Sequence, residues 1–171
     1  MSATRLFFCF LLALVGARTA SAADHSATEA FLSKESLGNL RLEQPAKDVL
    51  KMLGKPDKEG KLILQAADGN YVQTWRYPSK GIELVMSAGG TKSGAKTVAA
   101  ITATTPCGLA TQQGIKIGSS ESAARRAYAA YADHDSRATP GAFVVGSVYG
   151  GIIFHFEHGK VSRIFFGAAA E

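Results

Sequence analysis

The sequence contains very little cysteine, which limits how the chain can be stabilised. It has two cysteines, and Cys9 lies in an apolar N-terminal run, so only Cys107 would remain if that run were removed. One cysteine cannot form an internal disulfide, and an exported domain of this kind must therefore depend on its hydrophobic core. We expect Cys107 to be buried as a small apolar side chain, with pairing between chains or a reactive thiol as the alternatives.

Long hydrophobic runs are absent except at the N-terminus. Residues 6–15 (LFFCFLLALV) are apolar, but these ten residues are half of the about 20 that a membrane-spanning helix needs. Arg5 precedes the run, and Ala20 and Ala22 follow it at the spacing of a signal-peptide cleavage site. We predict a signal peptide at residues 1–22, a periplasmic or secreted protein, and no membrane span in the mature chain.

Charge of one sign is not concentrated in any part of the chain. Removing the signal peptide takes away Arg5 and Arg18, and leaves 17 of the 19 basic side chains against 14 acidic ones. Basic and acidic residues are interleaved, as in KMLGKPDKEGK (residues 51–61), which is typical of a solvated surface. Nucleic-acid binding requires a basic patch on one face, so the sequence predicts no nucleic-acid partner.

Signatures of catalysis and of cofactor binding are also lacking. The segment GTKSGAKT (residues 90–97) departs from a phosphate-binding loop at Ala95. The residues after it are typical of a strand, whereas that loop must open a helix. The residues around Cys107 form no recognisable nucleophile turn. We therefore predict a protein that is not an enzyme, with no cofactor and no metal.

A metal site near the C-terminus is the alternative. The segment HFEHG supplies His155, Glu157 and His158, and Gly159 permits a turn that would bring the three side chains together. The spacing of zinc signatures is absent, and histidines are common in exposed strands and loops. A second polar cluster at residues 133–135 lies in a loop that we expect to be solvated. The alternative function is thus an envelope enzyme or metal-binding protein that uses His155, Glu157 and His158.

The chain contains a complete α+β pattern in its first half. After a polar N-terminal arm at residues 23–36, an apolar-basic-apolar segment at 40–42 leads to Pro45 and to an apolar stripe at helical spacing. Gly54 and Pro56 end this helix. Alternating runs at residues 71–77, 82–86 and 97–104 then predict three strands. We assign residues 37–105 to a first unit.

The second half repeats this order. An apolar-basic-apolar segment at 115–117 stands 75 positions after the first one, and Ser119 and Ser120 provide an N-cap for a second helix. The Gly-Ile pair at 81–82 recurs at 151–152, and the spacing Val-x-x-Ile at 98–101 recurs at 161–164. We predict an α+β fold of two tandem units, residues 37–105 and 106–171, each with a short helical segment packed on an antiparallel β-sheet.

These segments resemble a known repeat. LRLEQPAKDVLKMLGKPD (residues 40–57), followed by WRY, GIELVM and TVAAI, is similar to the repeat of the β-lactamase inhibitor protein family and of the small envelope proteins of the BamE/SmpA type. The resemblance covers about residues 40–166, although no disulfide is possible here and the second helix lacks the Gly-x-Pro stop. It implies a protein-binding surface on the open face of the sheet, and no chemistry.

Strand alternation predicts which residues would form that surface. Most of the large aromatic side chains in the strands are expected in the core; these residues are Trp75, Tyr77, Phe154, Phe156 and Phe165. If Trp75, Leu84 and Phe154 face the helices, six residues lie on the other face: Arg76, Glu83, Val85, Ile153, His155 and Glu157. We predict that these six bind another periplasmic or secreted protein, as an inhibitor or immunity protein does, or in support of envelope assembly. A merely solvated face is the alternative, although Val85 and Ile153 make the face more apolar than that requires.

Overall fold

The structure, a computed structural model, describes residues 28, 30–133 and 141–169. The predicted signal peptide lies outside the described residues, as does most of the predicted polar loop, with His134 and Asp135 of the second polar cluster. Within the described part, the elements are two α-helices, two 3₁₀ turns (Pro78–Lys80 and Ala129–Tyr131), a helical turn that ends at residue 32, and eight strands. The fold is therefore α+β.

All eight strands belong to one antiparallel sheet. Their bounds are β1 (Lys58–Glu59), β2 (Ile63–Leu64), β3 (Tyr71–Tyr77), β4 (Ile82–Ser87), β5 (Thr97–Thr104), β6 (Ala142–Ser147), β7 (Gly150–Glu157) and β8 (Lys160–Gly167). The order across the sheet is β1-β3-β4-β5-β8-β7-β6, and β2 also pairs with β3. The strands predicted at 71–77, 82–86 and 97–104 are confirmed, whereas β1 and β2 were not predicted.

The two helices form where the sequence places their ends. Helix α1 (Ala46–Leu53) begins after Pro45 and ends at Gly54, whose φ of 79° is the left-handed conformation that favours glycine. Helix α2 (Glu121–Ala127) begins after Ser120, whose side chain accepts a hydrogen bond from the Ala123 N–H at 3.2 Å. Each helix buries a narrow face, which consists of Val49 in α1 and Ala124 in α2.

The segments that lead into the two helices are attached to the sheet in the same way. Each forms one isolated β-bridge and three backbone hydrogen bonds, of 2.7 to 3.0 Å, to the start of β5 or β8. At β5 the donor–acceptor pairs are Glu43–Val98, Val98–Gln44 and Ala46–Lys96; at β8 they are Gly118–Val161, Val161–Ser119 and Glu121–Gly159. Val49 and Ala124 belong to the same core as the buried residues of the strands, so both helices lie against one face of the sheet.

The hydrophobic core fills the space between that face and the helices. Every second residue of the central strands points into it, which is the pattern of a half-buried sheet. The strand residues of this core are Trp75, Tyr77, Ile82, Leu84, Met86, Val98, Ile101, Ala103, Phe143, Val145, Ile152, Phe154, Phe156, Val161, Ile164 and Phe166. The expectation that Trp75, Tyr77, Phe154 and Phe156 are core residues is confirmed.

Phe165 is an exception, and the prediction that it belongs to the core is wrong. A β-bulge in β8, where Phe156 pairs with Val161 and His155 with Arg163, inserts one extra residue between Val161 and Ile164. The bulge shifts the alternation, so that Phe166 enters the core and Phe165 points to the opposite face. The same kind of bulge occurs in β5, between Val98 and Ile101.

The sheet is continuous across the middle of the chain. The sequence predicts a sheet in each of two units, whereas β5 of the first half pairs directly with β8 of the second. At the centre of this β5–β8 seam, Thr102 lies opposite Phe165. In two separate sheets β5 and β8 would each leave an unpaired edge, and their pairing satisfies both rows of backbone groups.

The N-terminal arm contributes to the core of the second half. Phe31 stacks on Tyr131, with ring centroids 3.8 Å apart, and Leu37, directly after the arm, forms a bridge to Thr111. Glu35 and Ser36 are buried. The part of the arm that the structure describes is thus packed against the region around α2.

Candidate functional site: the open face of the sheet

The six predicted site residues lie on the face of the sheet that is opposite the helices, which we call the open face. Arg76 alternates with the buried Trp75 and Tyr77 along β3. Glu83 and Val85 alternate with the buried residues of β4, and Ile153, His155 and Glu157 with those of β7. The structure therefore places all six on one surface, in three strands, with β5 and β8 between β4 and β7.

One row of residues crosses the open face from β3 to β6. Its members are successive Cα partners, and the row reads Arg76, Glu83, Thr102, Phe165, Ile153 and Val144. Since neighbouring strands are about 4.8 Å apart, the row extends over about 24 Å. Thr102, Phe165 and Val144 were not among the predicted site residues. The bulge spacing Val-x-x-Ile was the signal that could have identified Phe165.

The β3–β4 end of the row is charged. The Arg76 Nε donates a hydrogen bond to the Glu83 Oε2 at 2.6 Å, and both side chains are about half exposed. An ion pair exposed to this degree contributes less than about 1 kcal/mol to stability. Its main effect is to hold the two side chains in a fixed orientation on the surface.

The β6–β8 end of the row is apolar. Val144, Ile153 and Phe165 come from three adjacent strands, and each side chain remains partly exposed. Side chains directly opposite each other in neighbouring strands lie about 5 Å apart, so the three form one contiguous patch. Protein–protein interfaces commonly have an apolar centre with a polar rim, and this patch with the charged residues around it has that arrangement.

Arg163 and His155 form the next row beside this patch. The two residues are Cα partners, and the Arg163 guanidinium lies over the Phe165 ring, 5.8 Å from its centroid. Partial burial lowers the pKa of His155, and the positive charge of Arg163 lowers it further. His155 is therefore neutral at neutral pH, and Arg163 carries the positive charge of this end of the face.

The three side chains of the alternative metal site do not assemble into one. His155 and Glu157 lie on the open face, whereas His158 occupies the turn after β7 with a φ of 51°. Among the described residues, no group of three or more His, Cys, Asp and Glu side chains is arranged to hold a metal ion. No feature of the described structure therefore favours this alternative.

The structure also shows where the other candidate sites of the sequence lie. The segment at residues 90–97 leads directly into β5, as predicted, and not into a helix. Cys107 is buried, and its burial raises the pKa of the thiol, which disfavours the reactive thiolate. The expectation that Cys107 is buried is confirmed.

Two results bear on what the chain is. Among the residues that the structure describes, no helix is both long and apolar enough to cross a membrane. No protein-family model matches the chain, and no characterised protein or solved structure is significantly similar to it.

Proposed function

We propose that the protein is an exported, non-enzymatic protein-binding module that binds its partner through the open face of the sheet. The partner is another periplasmic or secreted protein, and binding either inhibits an enzyme or toxin or supports envelope assembly. One observation carries the proposal: the six-residue row on the open face combines an apolar end with a charged end on a rigid sheet.

The composition of the face supports binding over simple solvation. A solvated sheet face alternates polar side chains with the buried core residues. Here Val85, Val144, Ile153 and Phe165 occupy solvent-side positions in four strands. Val144, Ile153 and Phe165 adjoin one another, and such partly exposed apolar residues lose unfavourable contact with water when a partner covers them.

We also propose that the chain arose by tandem duplication, with units at residues 37–105 and 106–171. The matched hydrogen bonds at the two helix N-termini support this, because the donor and acceptor positions differ by constant offsets. The two bulges support it as well, since each lies in the third strand of a three-strand meander. A pseudo-two-fold axis would then pass through the sheet between Thr102 and Phe165, which occupy equivalent positions.

If the halves are duplicates, equivalent positions in the core and on the open face can be compared. Core positions keep their character between the halves, as Ile101 and Ile164 do, and as Val98 and Val161 do. The open-face positions change: Arg76, Glu83 and Thr102 of the first half are matched by Val144, Ile153 and Phe165 of the second. Exchange of polar for apolar side chains on one face alone is expected if that face binds a partner and the other face holds the fold together.

Site-specific photocrosslinking tests the proposed interface. A photoreactive phenylalanine analogue would replace Val85 or Ile153 on the open face, and Leu50 or Arg126 on the exposed helix side as matched controls. In an envelope extract of cells that make the protein, the first two positions should crosslink to the same partner and the controls should not. Crosslinking from the controls alone, or from no position, contradicts the proposal.

A substitution test measures the same interface in solution. Once the partner is captured, Arg76→Glu and His155→Ala should each weaken the complex, because both residues lie on the open face. Arg126→Glu makes the same charge change as Arg76→Glu on an exposed residue of α2 and should leave affinity unchanged. The affinities are measured by titration calorimetry with the purified partner.

A further inference from the structure

The apolar end of the open face has features that the charged end does not share. Val144, Ile153 and Phe165, together with Arg163 and His155 in the next row, form what we call the β6–β8 patch. Apolar side chains in three adjacent strands provide area for an anchoring contact, and aromatic residues and arginine are the types enriched at such anchors. This patch, and not the Arg76–Glu83 end, is where an interface would gain most of its affinity.

The charges within the patch are not balanced. Arg163 takes part in none of the ion pairs among the described residues, which are Lys51–Asp48, Arg76–Glu83 and Arg125–Glu121. Its Cα partners on either side are Thr104 and His155, and His155 is neutral at neutral pH. Glu157, two residues along β7 from His155, lies more than 4.0 Å from the guanidinium, beyond ion-pair distance. Among the residues that the structure describes, the Arg163 guanidinium therefore has no ion-pair partner, and it lies beside the apolar area of the patch.

We propose that the β6–β8 patch binds a protein segment that presents an Asp or Glu carboxylate beside an apolar side chain. The apolar side chain covers Val144, Ile153 and Phe165, and the carboxylate pairs with the Arg163 guanidinium. The inference deepens the proposed function, because it rests on the open face being a protein-binding surface and adds the chemistry of the partner.

The position of the guanidinium suits it to this role. It lies over the Phe165 ring, and this cation–π contact favours an orientation beside the apolar residues before a partner arrives. Arginine presents a planar set of donors that matches the two oxygens of a carboxylate. Covering the neighbouring apolar residues would also exclude water from the ion pair and strengthen it.

A peptide selection tests the proposal and does not require that the natural partner be identified first. Random peptides of about 12 residues are displayed and selected on the full-length protein, with Phe165→Ser and Arg163→Glu as variants. Arg126→Glu is the matched control, because it makes the same charge change on the exposed side of α2. Wild-type protein should select peptides in which Asp or Glu adjoins Leu, Ile, Val or Phe, and Phe165→Ser should lose them.

The charge variant provides the sharper result. On Arg163→Glu the selection should shift to peptides with Lys or Arg beside the apolar residue, and wild-type peptides should bind about three- to tenfold more weakly to it. The Arg126→Glu control should select the same peptides as wild type. Circular dichroism checks that Phe165→Ser and Arg163→Glu are folded. If Phe165→Ser does not fold, the peptides selected on Arg163→Glu alone test the proposal.

The outcomes separate this inference from the proposed function. Peptides that depend on Phe165 but show no acidic preference overturn the partner chemistry and leave the open face as a binding surface. Absence of any Phe165-dependent peptide, or peptides equally sensitive to Arg126→Glu, also overturns the inference. The proposed function itself is decided separately, by the crosslinks from Val85 and Ile153.

Discussion

Glu35 is a carboxylate with almost no contact with solvent, and its three hydrogen bonds explain how the protein tolerates it. Only 2% of its surface is exposed. It accepts hydrogen bonds from the Ser36 and Gln112 N–H groups at 2.9 and 2.8 Å, and from the Tyr128 hydroxyl at 2.9 Å. Burial raises the pKa of Tyr128, which keeps the hydroxyl protonated as a donor. Glu35 thereby joins the N-terminal arm to the second half.

The replacement Glu35→Gln tests the energetic weight of this group. The amide NH₂ would face either the two backbone N–H groups or the Tyr128 hydroxyl. The N–H groups would then lose their acceptor, or the hydroxyl would accept from the NH₂ while its own O–H loses the carboxylate. We expect the free energy of unfolding to fall by about 2 kcal/mol. Urea denaturation measures it, and Glu157→Gln, on an exposed residue, is the control with no expected change. An equal effect of both variants would contradict the structural role of Glu35.

His155 should make stability depend on pH. Because its pKa in the folded protein lies below the ordinary value of 6.5, the unfolded chain binds the proton first as the pH falls. The stabilisation is therefore complete above about pH 6.5 and is lost progressively between that pH and the lower folded pKa. Urea denaturation between about pH 7 and pH 5 should show a smaller loss for His155→Gln than for wild type. If the free energy of unfolding changed with pH equally in wild type and His155→Gln, the prediction would be contradicted.

At the scale of single elements, Gly81, just before β4, and Gly151, at the start of β7, leave no room for a side chain. A Cβ at Gly81, where φ is 63°, would lie 2.2 Å from the Thr104 carbonyl oxygen. A Cβ at Gly151 would lie 2.2 Å from the Val145 carbonyl oxygen. These contacts are with backbone atoms, which cannot move without disturbing a neighbouring strand. The recurrence of the Gly-Ile pair in the sequence therefore has a physical cause at both positions.

The variants Gly81→Ala and Gly151→Ala should each destabilise the fold by about 2 kcal/mol or more, because the added methyl group collides with backbone. Gly90→Ala and Gly108→Ala are matched controls, since no atom lies within 4 Å of a Cβ at either site and neither has a positive φ. Thermal denaturation followed by circular dichroism compares the four. Similar melting temperatures for all of them would rule out the proposed clash.

The cap of α2 provides a second test at this scale. Ser120→Ala removes the hydroxyl that accepts from the Ala123 N–H and should lower the free energy of unfolding by about 1 kcal/mol. Ser79→Ala, on an exposed residue of a 3₁₀ turn, is the control and should have little effect. Urea denaturation of both variants gives the comparison, and a loss no larger than that of Ser79→Ala would show that the cap contributes little.

The elements that could be predicted from the sequence are those with strong local signals. Pro45, Gly54 and Ser120 mark helix ends through their own backbone and hydrogen-bonding chemistry, and the helices begin and end there. Strand faces followed from alternation, which placed all six predicted site residues on the open face. Phe165 was misassigned because a bulge changes the alternation by one residue, and its position depends on the pairing partner in β7.

Longer-range features could not be read from local patterns. Whether two meanders form two sheets or one depends on the pairing of β5 with β8, whose paired residues are distant in the chain. β1 and β2 are only two residues each and exist because they pair with β3. The buried position of Glu35 likewise depends on Gln112 and Tyr128, far along the chain.

At the scale of the whole molecule, the continuous sheet should make the protein unfold as one cooperative unit. Trp75, the one tryptophan, is buried in β3 and reports on the first half. If the β5–β8 seam couples the halves, a destabilising change in the second half must lower the unfolding midpoint that Trp75 reports. Gly151→Ala is such a change, and Gly108→Ala is its control.

Urea denaturation of Gly151→Ala, followed by Trp75 fluorescence and by circular dichroism, tests this coupling. Both signals should shift to the same lower midpoint, since two-state unfolding gives coincident transitions. A fluorescence midpoint that stays at the wild-type value while the circular dichroism transition shifts or splits would show that the halves unfold separately.

The β5–β8 seam also has a consequence for the order in which the chain folds. The β6–β7 and β7–β8 hairpins close through turns of two residues, whereas Thr104 must meet Arg163, 59 positions later. Closing so long a loop has a larger entropic cost than closing a hairpin, so the seam is expected to form after both meanders. Thr102 and Phe165, which lie in this seam, are the middle of the open-face row. A partly folded molecule would thus lack the complete open-face row, and binding through that row, as proposed, would report that folding is finished.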